Sequence, residues 1–203
     1  MKLNEEEDTL GKGRVAFFVT GNIHKFQEAR VEFHKKKIAL AMLNIDAIEI
    51  QSDDLKDIAK TSASDAAKKT SIPVFVEDAG LFINSLNGFP GPYSSFVYRT
   101  LGTKGILKLM IRTNERTAHF SSVIAFCYPN EKAESVCFEG TVNGKITDEE
   151  KGKGGFGFDP IFEPDASPGV TFAQMTTREK NRHSHRAQAL QKFAEWYSRH
   201  VTK

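Results

Sequence analysis

The 203-residue sequence predicts a single α/β domain, with a central mixed and twisted sheet flanked by helices and two lobes around a cleft. Three observations carry that prediction. Short, continuous apolar runs such as Val15-Ala16-Phe17-Phe18-Val19 read as strands covered on both faces. Charged segments with apolar residues at helical spacing follow them. Finally, His119 to Tyr128 and Ala133 to Phe138 flank Pro129-Asn130-Glu131-Lys132 as an antiparallel hairpin, which makes the sheet mixed.

Along the chain, Met1 to Arg14 carries Glu5, Glu6, Glu7 and Asp8 with almost no apolar residue, so 1–14 reads as a flexible leader to a domain over 15–203. Thr20-Gly21-Asn22 ends the first strand. A helix follows from Ile23 to about Lys37, with Phe26, Ala29 and Phe33 on one face. Leu43 to Ile50 reads as a second strand through Ile45, Ile48 and Ile50, and Asp53 to Thr70 as an alanine-rich helix. Ile72 to Val76 is a third strand that ends at Glu77-Asp78-Ala79-Gly80, before an apolar segment, Leu81 to Leu86. Asn87 to Tyr93 is too rich in Gly and Pro for a regular element and reads as a rigid loop. Ile106 to Ile111 is helical, and Val142 to Ile146 supplies a third hairpin arm. The last helix starts near Thr176, in capping-box spacing with Glu179, and runs through Leu190, Phe193 and Tyr197.

Composition narrows the function classes. With 28 basic and 26 acidic residues the formal charge is +2, which argues against a nucleic-acid coat or an acidic tail protein. The longest apolar runs fall far short of the roughly 20 residues that span a bilayer, and no charged-then-apolar leader opens the chain. A soluble, cytoplasmic protein with no membrane contact is expected. Cys127 and Cys137, both among strand-like residues, read as reduced thiols rather than a disulfide.

Gly152-Lys153-Gly154-Gly155-Phe156-Gly157 satisfies G-x-G-x-x-G, yet it lacks the preceding strand and following helix that a dinucleotide site needs. No phosphate-loop motif with G-K-[ST] is present either. The turn Thr20-Gly21-Asn22-Ile23-His24-Lys25 has two readings. A glycine, free helix-start amides and a first-turn lysine outline a phosphate cradle, while the plainer alternative is a helix cap with Lys25 in solvent. Asp46 and Glu49 on the second strand, and Glu77 and Asp78 closing the third, put hard oxygen donors where α/β sheets bind ligands, which suits Mg²⁺. His183-x-His185 lacks the further ligands zinc needs. Lys180, His183, Ser184, His185 and Arg186 cannot all share one helix face, so a loop or first turn would turn donors inward; a solvated basic end is the alternative.

Five motifs follow one another in order: Thr20-Gly21-Asn22-x-x-Lys25, Val76-Glu77-Asp78-Ala79-Gly80-Leu81, Gly88-Phe89-Pro90-Gly91-Pro92-Tyr93-Ser94, Gly155-Phe156-Gly157-Phe158-Asp159-Pro160 and Glu179-Lys180-Asn181-x-x-Ser184-His185-Arg186. Together they resemble the inosine triphosphate pyrophosphatase family. The resemblance spans about residues 14 to 199. It implies a nucleotide cleft and Mg²⁺-dependent hydrolysis of deaminated purine nucleoside triphosphates (ITP, dITP, XTP) to monophosphate and pyrophosphate, by a homodimer. By the same resemblance Thr20, Gly21, Asn22, Ile23, His24 and Lys25 hold the triphosphate, with Ala79 beside it. Asp78 is catalytic and binds metal with Glu49. Phe156, Gly157, Phe158 and Asp159 hold the base, with Phe156 stacking, and Lys180, His185 and Arg186 complete the pocket. Ala79 stands where many relatives have Ser or Thr, and Ser62 where some have Lys.

Two other readings remain open. One is a nucleotide- or RNA-binding module that stacks bases on Phe156 and Phe158 and holds phosphates on the Arg178 to Arg186 segment; the clustered carboxylates oppose it, because they repel a polyanion. The other is a related pyrophosphatase acting on other modified nucleotides.

Overall fold

The computed structural model describes residues 15–129 and 135–201, so the expected leader and the tip of the hairpin lie outside the described residues. The first strand, β1 (Val15–Val19), leads through Asn22 into α1 (Ile23–Lys35), as the sequence predicts. The second strand differs. β2 is Ala39–Leu43 rather than 43–50, and it pairs in parallel with β1 from Val15↔Ala39 to Val19↔Leu43. Beyond Leu43 the partner strand has ended, so the alternating isoleucines have no backbone to pair with; Ile48 and Ile50 are exposed. Asp46 and Glu49 therefore sit in an irregular loop past β2, not on a strand.

Helix α2 (Leu55–Thr70) is capped by Asp54, which accepts from the Lys56 amide. Its alanines Ala59, Ala63, Ala66 and Ala67 are fully buried against β3 and β5, which lets the helix lie close to the sheet. The third strand, β3 (Val74–Ile83), does not end at Glu77 and Asp78. It is paired throughout, from Val74↔Cys127 to Ile83↔Ala118, by the antiparallel β5 (Thr117–Cys127). Its parallel neighbour stops sooner, since Phe18 pairs with Phe75 and β1 ends at Val19. The two acids thus stand just past the carboxyl ends of the parallel strands while remaining inside β3, where the sheet changes from parallel to antiparallel.

The short β4 (Pro90–Gly91) pairs with β3, and two small helices follow, α3 (Ser94–Thr100) and α4 (Gly102–Leu109). The expected third hairpin arm is the continuation of β6 (Val136–Ile146), one strand that runs through Gly140. Gly140 is there for contact, not for a turn: a Cβ at that position would collide with the His185 carbonyl. The strand β7 (Phe162–Pro164) completes the order β2-β1-β3-β5-β6-β7, with β4 on β3.

At the C-terminus the predicted capping box forms, but it caps a single turn, α5 (Thr177–Lys180). The chain then leaves the helix, and Ser184 caps a new one, α6 (His185–His200), by accepting from the Ala187 amide. The break lets both Lys180 and Arg186 point inward, which six residues of continuous helix would forbid. Both cysteines are free, as expected. Among the described residues no helix is long and apolar enough to cross a membrane.

Strand alternation sorts the core. Phe75 faces α1 and α6 with Ile124, Phe126 and Phe193, while Val74 and Val76 face α2 with Val123 and Ala125. Farther along the first face, Leu81, Ile83 and Phe120 join Phe158, Phe162 and Phe172 in a second-lobe core. Glu77 lies between those two cores, with Asp78 on the opposite face.

Candidate active site

The cleft between the lobes has a volume of about 1300 Å³, and its walls include every site residue the sequence suggested except half-exposed Ile23, exposed His183 and the helix cap Ser184. At the first turn the plain helix-cap reading holds in part. Asn22 Oδ1 accepts from the amides of His24 (2.9 Å) and Lys25 (3.2 Å), and Thr20 Oγ1 accepts from the Asn22 amide (3.1 Å). Lys25, however, does not lie in solvent. Its Nζ donates to the Glu77 carbonyl oxygen (3.0 Å) and ion-pairs with Glu77 Oε2 at 2.9 Å.

That contact is one end of a buried chain of alternating charges. Glu77 Oε1 accepts from Arg186 Nε (2.9 Å) and from the Ser122 hydroxyl (2.6 Å). Arg186 Nη1 reaches Glu28 Oε2 (2.6 Å), Lys180 Nζ bridges Glu28 Oε1 (2.8 Å) and Asp159 Oδ2 (2.7 Å), and Asp159 accepts from the Phe156 amide (2.9 Å). Each carboxylate meets a cation, which is the condition for burying charge. Burial works to raise the Glu77 carboxyl, yet Arg186 and then Lys25 outweigh it and hold the group well below the usual carboxylate range. Glu28 is lowered too, against burial, by Arg186 and Lys180. Asp159 is raised: burial dominates, because the one cation beside it, Lys180, is shared with Glu28.

Asp78, one residue from Glu77, lacks such partners. Burial lifts its carboxyl to about 6; Lys25 and the Ala79 amide oppose the shift, while Glu77 and Glu49 add to it. Its Oδ1 accepts from the Ala79 amide at 2.9 Å. Glu49 borders the same cleft from the loop beyond β2. Among the described residues no group of three or more His, Cys, Asp or Glu gathers as a metal cage. Two carboxylates whose mutual repulsion is unrelieved nevertheless fit Mg²⁺, which commonly takes one or two protein carboxylates and fills its shell with waters and phosphate oxygens.

The opposite wall is aromatic and basic. The Phe156 ring stacks on His24, with centroids 5.3 Å apart and planes at 13°, and Lys180 Nζ lies 4.8 Å from its centroid. A second cavity of about 300 Å³ shares His24, Phe156 and Lys180 with the main cleft. His24 thus belongs to the aromatic wall more than to the phosphate turn. Gly155, at φ +68°, explains the glycines of the false dinucleotide motif: a Cβ there would run into the Asp159 carboxylate. His185 lies flat on Phe120 (4.7 Å, 9°); burial, then Arg186 and Lys180, depress its imidazole well below the ordinary value. Its Nδ1 is buried without a hydrogen-bond partner among the described residues, as a group is that a ligand's polar edge completes. Of the cations in the Arg178 to Arg186 segment, Lys180 and Arg186 are buried and paired with carboxylates, which weakens the RNA-binding reading, while Arg178 and Arg182 are exposed. Sequence reasoning missed Glu28 and Ser122, which carry no motif and join Arg186 and Glu77 across 158 and 45 residues.

The chain matches the Ham1 family over residues 16–196. A curated dITP/XTP pyrophosphatase from Methanopyrus kandleri is 45% identical over 184 residues, or 91% of this chain and 96% of that protein. One from Thermococcus kodakarensis is 48% identical over 179 residues, 88% and 95% of the two chains. Among solved structures, a HAM1 protein from Coxiella burnetii aligns with TM-score 0.78 at 29% identity, covering 92% of this chain and 99% of its own. The Staphylococcus aureus Ham1 protein aligns with TM-score 0.74 at 28% identity, covering 90% and 97%.

Proposed function

The chain belongs to the Ham1 family, and on that premise we propose that it hydrolyses deaminated purine nucleoside triphosphates, dITP, ITP and XTP, to the monophosphate and pyrophosphate. The observation that carries this reading is that one cleft is lined both by two carboxylates, Asp78 and Glu49, and by the aromatic and cationic group of Phe156, Lys180 and Arg186. In this reading Thr20 to Lys25 take the triphosphate, with Lys25 drawing its charge toward the departing pyrophosphate. Phe156, Gly157, Phe158 and Asp159 take the base, with Lys180, His185 and Arg186 around it.

The water oxygen forms a bond to the α-phosphorus as the bond to the bridging oxygen breaks, and the bridging oxygen leaves with pyrophosphate. Asp78 orients that water. Its Oδ1 already accepts from Ala79, so Oδ2 takes the proton, and a carboxyl at about 6 is suited to do so near neutral pH. Glu49 and Asp78 would hold Mg²⁺, which when bound supplies positive charge to the phosphate oxygens. Assembly as a homodimer, which the resemblance implies, and a cytoplasmic setting, which the sequence composition suggests, belong to the same reading.

Base choice follows from hydrogen bonding. Hypoxanthine and xanthine carry a carbonyl acceptor at C6, whereas adenine has an amino donor there. The donors of Lys180, Arg186 and the backbone near Phe156 would face another donor in ATP, at about 1–3 kcal/mol for each group left unsatisfied. The test is a nucleotide panel with Mg²⁺ and resolved products. Monophosphate with pyrophosphate is expected, and kcat/KM for ITP and XTP should exceed that for ATP by at least roughly tenfold. Equal values for ITP and ATP would refute the C6 readout, release of diphosphate and orthophosphate would refute the reaction, and a preference for other modified nucleotides would favour the neighbouring pyrophosphatase reading.

A further inference from the structure

The loop that carries Glu49 has no regular structure, yet it is not left to itself. Ile48, the residue before Glu49, has both backbone polar groups held by α2: the Ser62 hydroxyl donates to its carbonyl at 2.8 Å, and Asp65 Oδ2 accepts its amide at 2.9 Å. One turn on, Lys69 Nζ donates to the Asp46 carbonyl at 2.6 Å and ion-pairs with Asp65 at 2.8 Å. Residues 62, 65 and 69 are spaced by three and four, so they form one polar stripe beside the alanine face that packs on the sheet. The stripe grips the loop at Asp46 and Ile48, the residues leading into Glu49.

We propose that Ser62 and Asp65 are positioning residues that hold the Glu49 carboxylate beside Asp78 and so set the affinity of the site for a divalent cation. The inference rests on the reading of Glu49 and Asp78 as the cation's carboxylates. A ligand on an unanchored loop must be ordered when the cation binds, whereas the α2 stripe orders it beforehand. Ser62, which stands where some relatives have a lysine, acquires a role here: it exchanges a charge at the cleft for an anchor on the loop.

The experiment uses Mn²⁺ alone as the probe, with no nucleotide, and follows free Mn²⁺ by electron paramagnetic resonance. The proteins are the native chain, Ser62→Ala, Asp65→Ala, the double variant, the conservative Ser62→Thr and Asp65→Asn, and the references Glu49→Gln and Asp78→Asn. The double alanine variant should weaken Mn²⁺ about tenfold, the scale of losing groups that orient a metal ligand. Ser62→Thr and Asp65→Asn, which keep a donor and an acceptor in place, should stay within about twofold of native. Native-like affinity in the double variant, while Glu49→Gln binds weakly, overturns the positioning role and leaves the ligand reading intact. Unchanged affinity in both Glu49→Gln and Asp78→Asn overturns the ligand reading itself. Should the double variant fail to fold by circular dichroism, the two single alanine variants decide by the same criterion: weakened binding upholds the role, and native affinity in both refutes it.

Discussion

Glu77 and Asp78 are adjacent on β3, yet the two faces of that strand give them opposite chemistry. Glu77 points toward α1 and α6, where Lys25, Arg186 and Ser122 converge on it and keep it ionised. Asp78 points to the cleft beside Glu49 and is pushed up to about 6 by burial. The difference teaches that burial alone does not decide whether an acid is structural or reactive. The number of cations within reach decides it.

The comparison breaks most visibly through stability. Glu77→Ala leaves Arg186 and Lys25 facing a void that held their shared counter-charge, and unfolding by denaturant should show a loss of about 3–5 kcal/mol. A loss below about 1 kcal/mol, the scale of an exposed pair, would mean that Glu77 is as dispensable as a surface acid. Asp78→Asn should do the reverse. Turnover should fall at least about a hundredfold with the circular dichroism spectrum unchanged, the scale of a positioned acid-base group. Activity within a few-fold of native would remove Asp78 from the reaction.

The same variant sharpens the contrast through pH. The folded-state value of Asp78, about 6, lies above the ordinary 3.8, so the protonated carboxyl is the form that folding favours. Stability from this group is complete below about pH 3.8 and is lost as pH rises through about 6. Asp78→Asn should therefore be more stable than native at pH 8, by about 3 kcal/mol, and the gap should close toward pH 4 in denaturant titrations. A gap that stays constant with pH would contradict the shift. The smallest effect belongs to Ser122→Ala, which removes one of the bonds to Glu77 and should cost about 1–2 kcal/mol with little change in kcat/KM.

How far these assignments were legible in sequence follows from the range of the interactions. The strand, turn and helix from Val15 to Lys35 are local: an apolar run, an Asn cap and a 3.6 period, each decided within a few residues. β2 was misplaced because an edge strand is chosen by where its neighbour runs, and the isoleucines after Leu43 alternate as well as any strand does. Val142 to Ile146 read as a separate arm, whereas β6 runs unbroken through Gly140, a glycine that contact with α6 requires rather than a turn. Period-two alternation puts Glu77 and Asp78 on opposite faces, but nothing local says which face holds Arg186. Glu28 was illegible for the same reason: it lies on the predicted helix among other acids, and only the docking of α6 singles it out.

The reach of Arg186 has a consequence for how the protein is made. Its two carboxylate partners lie 109 and 158 residues upstream, and α6 is the last helix of the described chain. During synthesis Glu28 and Glu77 emerge long before Arg186, the cation that links them, so until α5 and α6 are made Glu77 has only Lys25 and Glu28 awaits both of its cations. The nucleotide cleft therefore cannot be finished piecemeal. It closes when the final helix docks, and a chain interrupted before Ser184 would keep Lys180 between Glu28 and Asp159 but lose the Arg186 link from Glu28 to Glu77.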